Sequence, residues 1–188
     1  LAFEGSFHGR LLLALASTWN PAKRVQYEWP DFTSSFVKYP EMKGDLETDP
    51  GIPEHWIDLF ASATRSDFLE KLEQLEVEDG IHEGLFETEK SVLIEIRKQL
   101  ISGTIFAILM EPIQCEGGDR YSSKRFHNAL ANMARDFQVP LIYDEVQTGF
   151  GLGGDFFWYQ LFDLQDPAGE EIYPDYVVCA KKISGWHG

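Results

Sequence analysis

The sequence Val-Pro-Leu-Ile-Tyr-Asp-Glu-Val-Gln-Thr-Gly at positions 139–149 limits the possible folds of this chain more than any other stretch. Its apolar run at 141–143 is typical of a parallel β-strand that is buried on both faces. Asp144 and Glu145 follow at the carboxyl end of that strand, where open α/β sheets bind their ligands. A carboxylate in such a dry place is costly unless it meets a cation. The stretch therefore predicts a ligand site as well as a strand.

The acid pair Asp144 and Glu145 has three explanations. A magnesium ion, as in P-loop ATPases, requires a G-x-x-x-x-G-K-S/T phosphate loop, and the sequence has none. A protonated pyridine nitrogen, as in pyridoxal-phosphate enzymes, requires a lysine beyond a later strand. Lys181 meets that requirement because it follows the apolar run at 176–180. The third explanation is an ordinary surface acid pair, and these two residues alone leave all three open.

Composition excludes several other classes of function. The formal net charge is −15, from 31 acidic and 16 basic residues, and this argues against a nucleic-acid binder because phosphate contacts need a basic face. It also argues against binding to an anionic membrane surface, and no apolar run approaches the roughly 20 residues of a membrane span. Two cysteines are too few for a disulfide framework. We therefore expect a soluble protein of a reducing compartment, the cytoplasm.

The order of the apolar segments predicts an α/β fold. Strands are expected at 104–110, 139–143 and 176–180, and a helix capped by Ser122 or Ser123 lies between the first two. The inward side of that helix has a 3.6-residue period, with Phe126, Leu130, Met133, Ala134 and Phe137. Strand, helix and strand in this order form a right-handed crossover, so we expect a mostly parallel sheet with helices on both faces.

The first half of the chain is less regular in pattern. Residues 11–17 suit a helix or a short strand, and 53–63 suit a short helix. Ser66 is a candidate N-cap for a helix at 67–78, and Thr88 for one that reaches 101. Between these, residues 20–53 hold five prolines among aromatic side chains, which predicts an ordered but irregular segment.

Four motifs in order carry a resemblance to a known family. They are Ser-Phe-His-Gly-Arg at 6–10, Glu-Pro-Ile-Gln-Cys-Glu-Gly-Gly at 111–118, Asp-Glu-Val-Gln-Thr-Gly at 144–149, and Pro-Asp, a strand and a lysine at 174–181. Together they resemble the class III aminotransferases, which are pyridoxal-phosphate enzymes of the aspartate aminotransferase fold (fold type I). The resemblance covers nearly the whole chain. Gly-Gly-Asp at 117–119, the Pro-rich insertion at 20–53 and the paired lysines are similar to lysine ε-aminotransferases and 4-aminobutyrate aminotransferases.

The resemblance implies a role for four residues around the ring of pyridoxal 5'-phosphate. Lys181, rather than Lys182, would form the Schiff base with the cofactor aldehyde. Asp144 would keep the pyridine nitrogen protonated. Val146 would pack against one face of the ring, and Gln147 would bind the ring hydroxyl.

Four further roles follow from the same resemblance. Phe7 would stack on the other face of the ring, with His8 beside it, although a histidine in a glycine turn is otherwise an ordinary solvated residue. Glu111 would support the region of Asp144. Glu116 would be the gate carboxylate that pairs with an arginine and moves to admit dicarboxylate substrates. Cys115 departs from the Gly or Ser that is usual before this glutamate.

The implied activity is transfer of an amino group from an ω-amino acid, such as lysine or 4-aminobutyrate, to a 2-oxo acid such as 2-oxoglutarate. It would proceed as two half-reactions, without a metal, in a homodimer. Residues 1–188 would be the central part of the large cofactor-binding domain, because family members are about twice as long. The alternatives are a P-loop-like ATPase and a non-catalytic piece of an aminotransferase.

Overall fold

Seven short strands and six helices make up the computed structural model, which describes residues 1–25, 31–44, 46–62 and 65–184. The strands are β1 (Ala2–Phe3), β2 (Phe36–Val37), β3 (Ile108–Met110), β4 (Ile113–Gln114), β5 (Arg120–Tyr121), β6 (Leu141–Asp144) and β7 (Tyr176–Val178). The helices are α1 (Leu12–Ala16), α2 (Pro21–Arg24), α3 (Trp56–Phe60), α4 (Phe68–Gln74), α5 (Leu85–Ile101) and α6 (Lys124–Asp136). Single 3₁₀ turns lie at Leu46–Thr48, Trp158–Phe162 and Lys181–Ser184.

The principal strands run parallel, as the sequence predicts. β6 lies between β3 and β7, and β1 pairs with β2. The Leu1 amine donates to the Ala107 carbonyl (2.8 Å), and the Leu109 amide donates to the Leu1 carbonyl (2.9 Å). In a parallel ladder, one residue bonds to the two residues on either side of its partner, as Leu1 does here with Ala107 and Leu109. The strand order is therefore β2-β1-β3-β6-β7, and all five carboxyl ends lie at one edge.

The strands are shorter than their apolar runs. The expected strands at 104–110, 139–143 and 176–180 are observed as β3, β6 and β7. Pro140 has no amide hydrogen to donate, and its carbonyl accepts the Ile108 amide at 2.8 Å. In the described part of the chain, the backbone bonds of β3 begin with the Leu1 amine at Ala107 and the Ile108 amide at Pro140.

The crossover between β3 and β6 confirms the predicted helix and its cap. Ser123 is the N-cap of α6, and its hydroxyl accepts the Phe126 amide at 3.2 Å. The predicted apolar side is buried at Phe126, Leu130, Met133 and Ala134. α6 packs on β6 and also contacts α3, α5 and the Trp158–Phe162 turn.

Two other predicted caps are wrong. α5 begins at Leu85, because Gly84 takes the left-handed conformation there and the Asp79 carboxylate accepts the Phe86 amide (2.8 Å). Thr88 lies inside the first turn and donates to the Gly84 carbonyl. α4 begins at Phe68 and not directly after Ser66. It ends at Gln74, before Glu76 and Glu78, which the predicted helix at 67–78 included.

Residues 20–53 are more regular than expected. They contain α2 and β2, so this segment supplies a strand of the sheet and is not only an irregular loop. Tyr39 is buried in the core, and Phe36 meets Trp19 edge-on with ring centroids 5.2 Å apart. Tyr27 and Trp29 lie outside the described residues. No helix in the described ranges is long and apolar enough to cross a membrane.

Candidate active site

The site lies where the carboxyl ends of the parallel strands meet. Glu111 comes directly after β3, Asp144 is the last residue of β6, and Lys181 follows three residues after β7. β1 ends at Phe3 at the same edge, and the glycine turn at 5–9 continues from it. Side chains from four strand ends are therefore brought to one edge, where α/β sheets bind ligands.

Asp144 pairs with His8 across the sheet edge. His8 Nδ1 lies 2.8 Å from Asp144 Oδ2, and the imidazole is only 1% exposed. The other Asp144 oxygen accepts the Val146 amide at 3.2 Å, and the His8 amide donates to Thr18 Oγ1 at 3.0 Å. A carboxylate only accepts hydrogen bonds, so Nδ1 carries the hydrogen in this pair. The interpretation of His8 as a solvated turn residue is wrong.

Glu111 is buried beside this pair. The Phe7 amide donates to Glu111 Oε2 at 3.2 Å. Burial, and then the nearby charge of Asp144, raises the pKa of Glu111 to about 8. Two carboxylates at one site rarely both ionise, and Glu111 is therefore largely protonated at pH 7. The site places one neutral acid next to one that is bound to histidine.

Glu116 and Phe7 share a cationic partner. Lys23 Nζ lies 2.5 Å from Glu116 Oε1 and 4.4 Å from the centroid of the Phe7 ring. The hydrogen bond from Lys23 and its charge, followed by the charges of Lys181 and Arg10, lower the pKa of Glu116. Glu116 is thus an ionised carboxylate at the outer side of the site, with three cations in its field.

The loop that carries Glu111 and Glu116 is held against the glycine turn by close packing. β4 and β5 form an antiparallel hairpin within this loop, which the sequence did not predict. Gln114 is buried, and its Nε2 donates to the Glu4 carbonyl at 3.0 Å. A Cβ on Gly5 would lie 2.7 Å from Gln114 Oε1, and a Cβ on Gly117 would lie 2.8 Å from the Gly5 carbonyl oxygen. Both glycines are required where two loops approach so closely.

Glu145 has a structural role and not a ligand-binding role. It is buried, and its carboxylate accepts the Trp158 and Tyr159 amides at 3.1 and 2.8 Å and the Thr148 hydroxyl. These contacts cap the Trp158–Phe162 turn and fix the loop after β6. Val146 and Gln147 are half-buried on that loop, immediately beyond Asp144.

Lys181 begins the last 3₁₀ turn, and its backbone has φ 29°. Such left-handed geometry is strained for a residue with a side chain and clusters at functional sites. Lys181 is exposed, and its charge acts on both Cys115 and Glu116. β7 ends at Val178, so neither Lys181 nor Lys182 lies on the strand. Their assignment stays a prediction.

The chemistry of this edge fits pyridoxal phosphate. Asp144 uses two hydrogen bonds, while a carboxylate has about four acceptor positions, so it has capacity for one further N–H donor such as a pyridinium. His8 Nε2 is buried and has no hydrogen-bond partner in the described part of the chain. Phe7 offers a ring whose one face is covered by Lys23. Across the described ranges, no three or more His, Cys, Asp or Glu side chains are grouped so as to hold a metal ion.

This fold and site define an α/β protein with a cluster of acidic, histidine and lysine side chains at the carboxyl edge of a parallel sheet. Residues 1–186 match the family model for class-III aminotransferases, and the chain belongs to that family. The family's enzymes depend on pyridoxal 5'-phosphate. The predicted family, fold type and cofactor class are confirmed.

Individual relatives agree with this assignment. The chain is 32% identical to the mitochondrial 4-aminobutyrate aminotransferase of Mus musculus over 183 residues, and 30% identical to the 4-aminobutyrate aminotransferase of Dictyostelium discoideum over 187. These alignments cover 97% of this chain and 30% of either relative. It superposes on a lysine aminotransferase from M. tuberculosis with a TM-score of 0.65 and 27% identity, over 96% of this chain and 32% of that one. An omega-transaminase from Thermomicrobium roseum shares the fold, with a TM-score of 0.60 and 22% identity. That superposition covers 96% of this chain and 32% of the transaminase.

Proposed function

We propose that the complete protein is a pyridoxal-phosphate-dependent aminotransferase that moves an amino group from an ω-amino acid to a 2-oxo acid such as 2-oxoglutarate. The observation that carries this proposal is the Asp144–His8 pair at 2.8 Å, buried at the carboxyl edge of the sheet beside Glu111. The chain spans about 30% of the length of its curated relatives, so the activity concerns a protein larger than these residues.

Asp144 and His8 would set the protonation of the cofactor. Pyridoxal phosphate supplies an aldehyde that takes up the amino group and a pyridine ring that accepts electrons. Asp144 would keep the ring nitrogen protonated, because a negative charge favours the protonated form. His8 donates to Asp144 and fixes the orientation of its carboxylate. Glu111, being largely neutral, adds little negative charge to compete for that proton.

Lys181 would be the residue that binds the cofactor covalently and moves the substrate proton. The Lys181 amine, when released from the cofactor, would act as a base toward the substrate, and positioned bases of this kind accelerate proton transfer about 10²–10⁴-fold. Val146 and Phe7 would hold the ring from its two faces, and Gln147 would bind the ring hydroxyl. Glu116 would face the entering substrate.

The substrate class follows from the relatives and from charge. Two of them are named 4-aminobutyrate aminotransferase and one neighbouring structure is a lysine aminotransferase, which favours a donor whose amino group is far from its carboxylate. Arg10 acts on Glu116, so a cation is available near the site for a substrate carboxylate. We expect a cytoplasmic homodimer, although mitochondrial relatives make the mitochondrion the other location to examine.

Product analysis of the complete protein tests this function. The protein, saturated with pyridoxal phosphate, is incubated with 2-oxoglutarate and lysine, 4-aminobutyrate or ornithine as donor. We expect glutamate to accumulate with at least one donor, and visible absorbance from the bound cofactor. A protein that binds the cofactor but makes racemised or decarboxylated products, without glutamate, would contradict the proposal.

Replacement of Asp144 by Asn tests the role of its charge. The shape is retained, but the charge that keeps a ring nitrogen protonated is lost, so kcat should fall at least about 10²-fold while cofactor affinity changes much less. Steady-state kinetics and cofactor titration measure the two effects. Asp163→Asn is the control and should leave kcat unchanged. Asp163 is exposed directly after the Trp158–Phe162 turn and pairs with Lys124 of α6. Near-normal turnover in Asp144→Asn would mean that Asp144 does not face the pyridine nitrogen.

A further inference from the structure

We propose that Lys23 is a positioning residue of this site, which gives the Glu116 carboxylate an alternative cation when a substrate carboxylate enters. The inference rests on the proposed function, because it concerns substrate entry into the same site. Lys23 belongs to none of the four motifs, and it lies 93 residues from Glu116 in the sequence. Only the fold brings the two side chains together.

The backbone that carries Lys23 is fixed to the glycine turn of the site. The Trp19 amide donates to the Ser6 carbonyl at 2.9 Å, and the Ser6 hydroxyl donates to the Ser17 carbonyl at 3.0 Å. Thr18 Oγ1 accepts the His8 amide. α2 then starts at once, because the Asn20 side chain accepts the Ala22 amide at 3.0 Å. Lys23 therefore starts from a backbone that is held against the same turn as Phe7 and His8.

The Lys23 ammonium makes two contacts with the site. It forms the ion pair with Glu116 and lies over the Phe7 ring, 4.4 Å from the centroid. A cation over an aromatic face is attracted to the ring, so Phe7 helps to hold the ammonium where Glu116 meets it. A planar ligand that stacks on Phe7 would use the opposite face. Lys23 thus connects the aromatic support to the gate carboxylate.

The physical consequence concerns the position of Glu116. A gate carboxylate that pairs with an arginine must leave that arginine when a second substrate carboxylate takes its place. Moving to Lys23 keeps the negative charge paired, which favours this position over water by the small free energy of an exposed ion pair. Glu116 is 52% exposed and Lys23 29%, so the pair is weak enough to form and break during turnover. Lys23 therefore favours the displaced position of Glu116, which dicarboxylate substrates need.

A carbodiimide cross-link tests the contact without using activity. The reagent joins a lysine amine and a carboxylate that are in direct contact, and it takes up the water that amide formation releases. In the complete protein, mass spectrometry should find the Lys23 peptide joined to the Glu116 peptide, and the product should be absent in Lys23→Met. Absence of this link in the wild type, while the Lys124–Asp163 pair (2.8 Å) is cross-linked, would overturn the proposal.

Kinetics then test the positioning role. Lys23→Met should raise the KM for 2-oxoglutarate about two- to fivefold, the range of an exposed ion pair, with kcat unchanged. Lys23→Arg should restore the wild-type KM, and Lys38→Met, at an exposed lysine after β2, should not change it. In a Glu116→Gln background, Lys23→Met should have no further effect.

Two outcomes separate this proposal from the function on which it rests. An equal effect of Lys23→Met with and without Glu116 would overturn the positioning role while leaving the aminotransferase activity intact. A wild-type protein that turns over no donor would overturn the proposed function. In that case the cross-link alone decides whether Lys23 holds Glu116.

Discussion

Glu111 and Asp144 show how neighbouring acids of the same type acquire different properties. Asp144 accepts hydrogen bonds from His8 and from the Val146 amide, whereas Glu111 has one amide donor and is buried. Burial disfavours the charged form, and the charge of Asp144 adds to that effect. One acid is left to bind a cation and the other is kept largely neutral.

This difference predicts how stability depends on pH. The pKa of Glu111 is about 8 in the folded state, against 4.5 for its ordinary value, so the folded protein holds a proton that the unfolded chain releases. The contribution of Glu111 to the free energy of unfolding is therefore fully present below about pH 4.5 and is lost as the pH rises to about 8. Between pH 5 and pH 8, the cofactor-free complete protein should lose about 3–4 kcal/mol more than Glu111→Gln does.

Urea unfolding of both proteins at several pH values measures this slope. Glu73→Gln, at an exposed position of α4, is the matched control and should follow the wild type. The same slope in the wild type and in Glu111→Gln would show that Glu111 is ionised at neutral pH, and the account of the acid pair would then be wrong.

At this scale the sequence predicted the acids better than their partners. Asp144 was predicted because it follows an apolar run directly, and Glu111 because of the resemblance. The burial of His8 and the contact of Lys23 with Glu116 were not, because both depend on packing between segments 93 to 136 residues apart. The hydrogen bond from Gln114 to the Glu4 carbonyl was also not predicted, although Gly5 and Gly117 indicate a close approach of loops.

The site residues lie at the ends of the surrounding strands and in the loops that follow. β3, β6 and β7 have only three or four residues each, so the loops beyond them carry most of the chemistry. Glu145 fixes one such loop by accepting the Trp158 and Tyr159 amides. Strand and helix types were predicted from periodicity, but their ends were less predictable. Thr88 and Ser66 look like caps locally, whereas Gly84 and Asp79 start α5 through contacts that only the folded chain has.

Ser123 is the cap whose removal should be measurable. Its hydroxyl accepts the Phe126 amide and donates to Glu89, which also binds Arg125 at 2.5 Å. Ser123→Ala should destabilise the protein by about 1–3 kcal/mol, since a cap and a buried hydrogen bond to a charged group are lost together. Chemical unfolding measures the change. Ser91→Ala, at an exposed position of α5, should cost less than about 0.5 kcal/mol, and equal effects of both changes would contradict this account.

The whole molecule has exposed apolar side chains close to the site. Leu11 and Leu12 are 77% and 74% exposed, and Trp19 is 38% exposed. Large apolar residues that face water together mark an interaction surface. Tyr39 does not belong to it, because it packs in the chain's own core. We predict that Leu11, Leu12 and Trp19 are buried against a second subunit of the complete protein.

Sedimentation equilibrium tests this assembly. The complete protein should be a dimer at micromolar concentration, because burial of apolar surface drives association. Leu12→Glu should weaken the dimer, whereas Leu69→Glu, at an exposed leucine of α4, should not. A stable and active monomer would contradict this interface.

We propose that Lys181 binds pyridoxal phosphate at the edge where Asp144 and His8 meet. The complete protein is loaded with cofactor, reduced with borohydride and digested, and the labelled peptide is identified by mass spectrometry. We predict that the label is on Lys181, that Lys181→Ala abolishes it and that Lys182→Ala retains it. A label on Lys182 would show that the assignment is wrong by one residue. A protein that carries no label, although it is folded and saturated with cofactor, would contradict the account of this site.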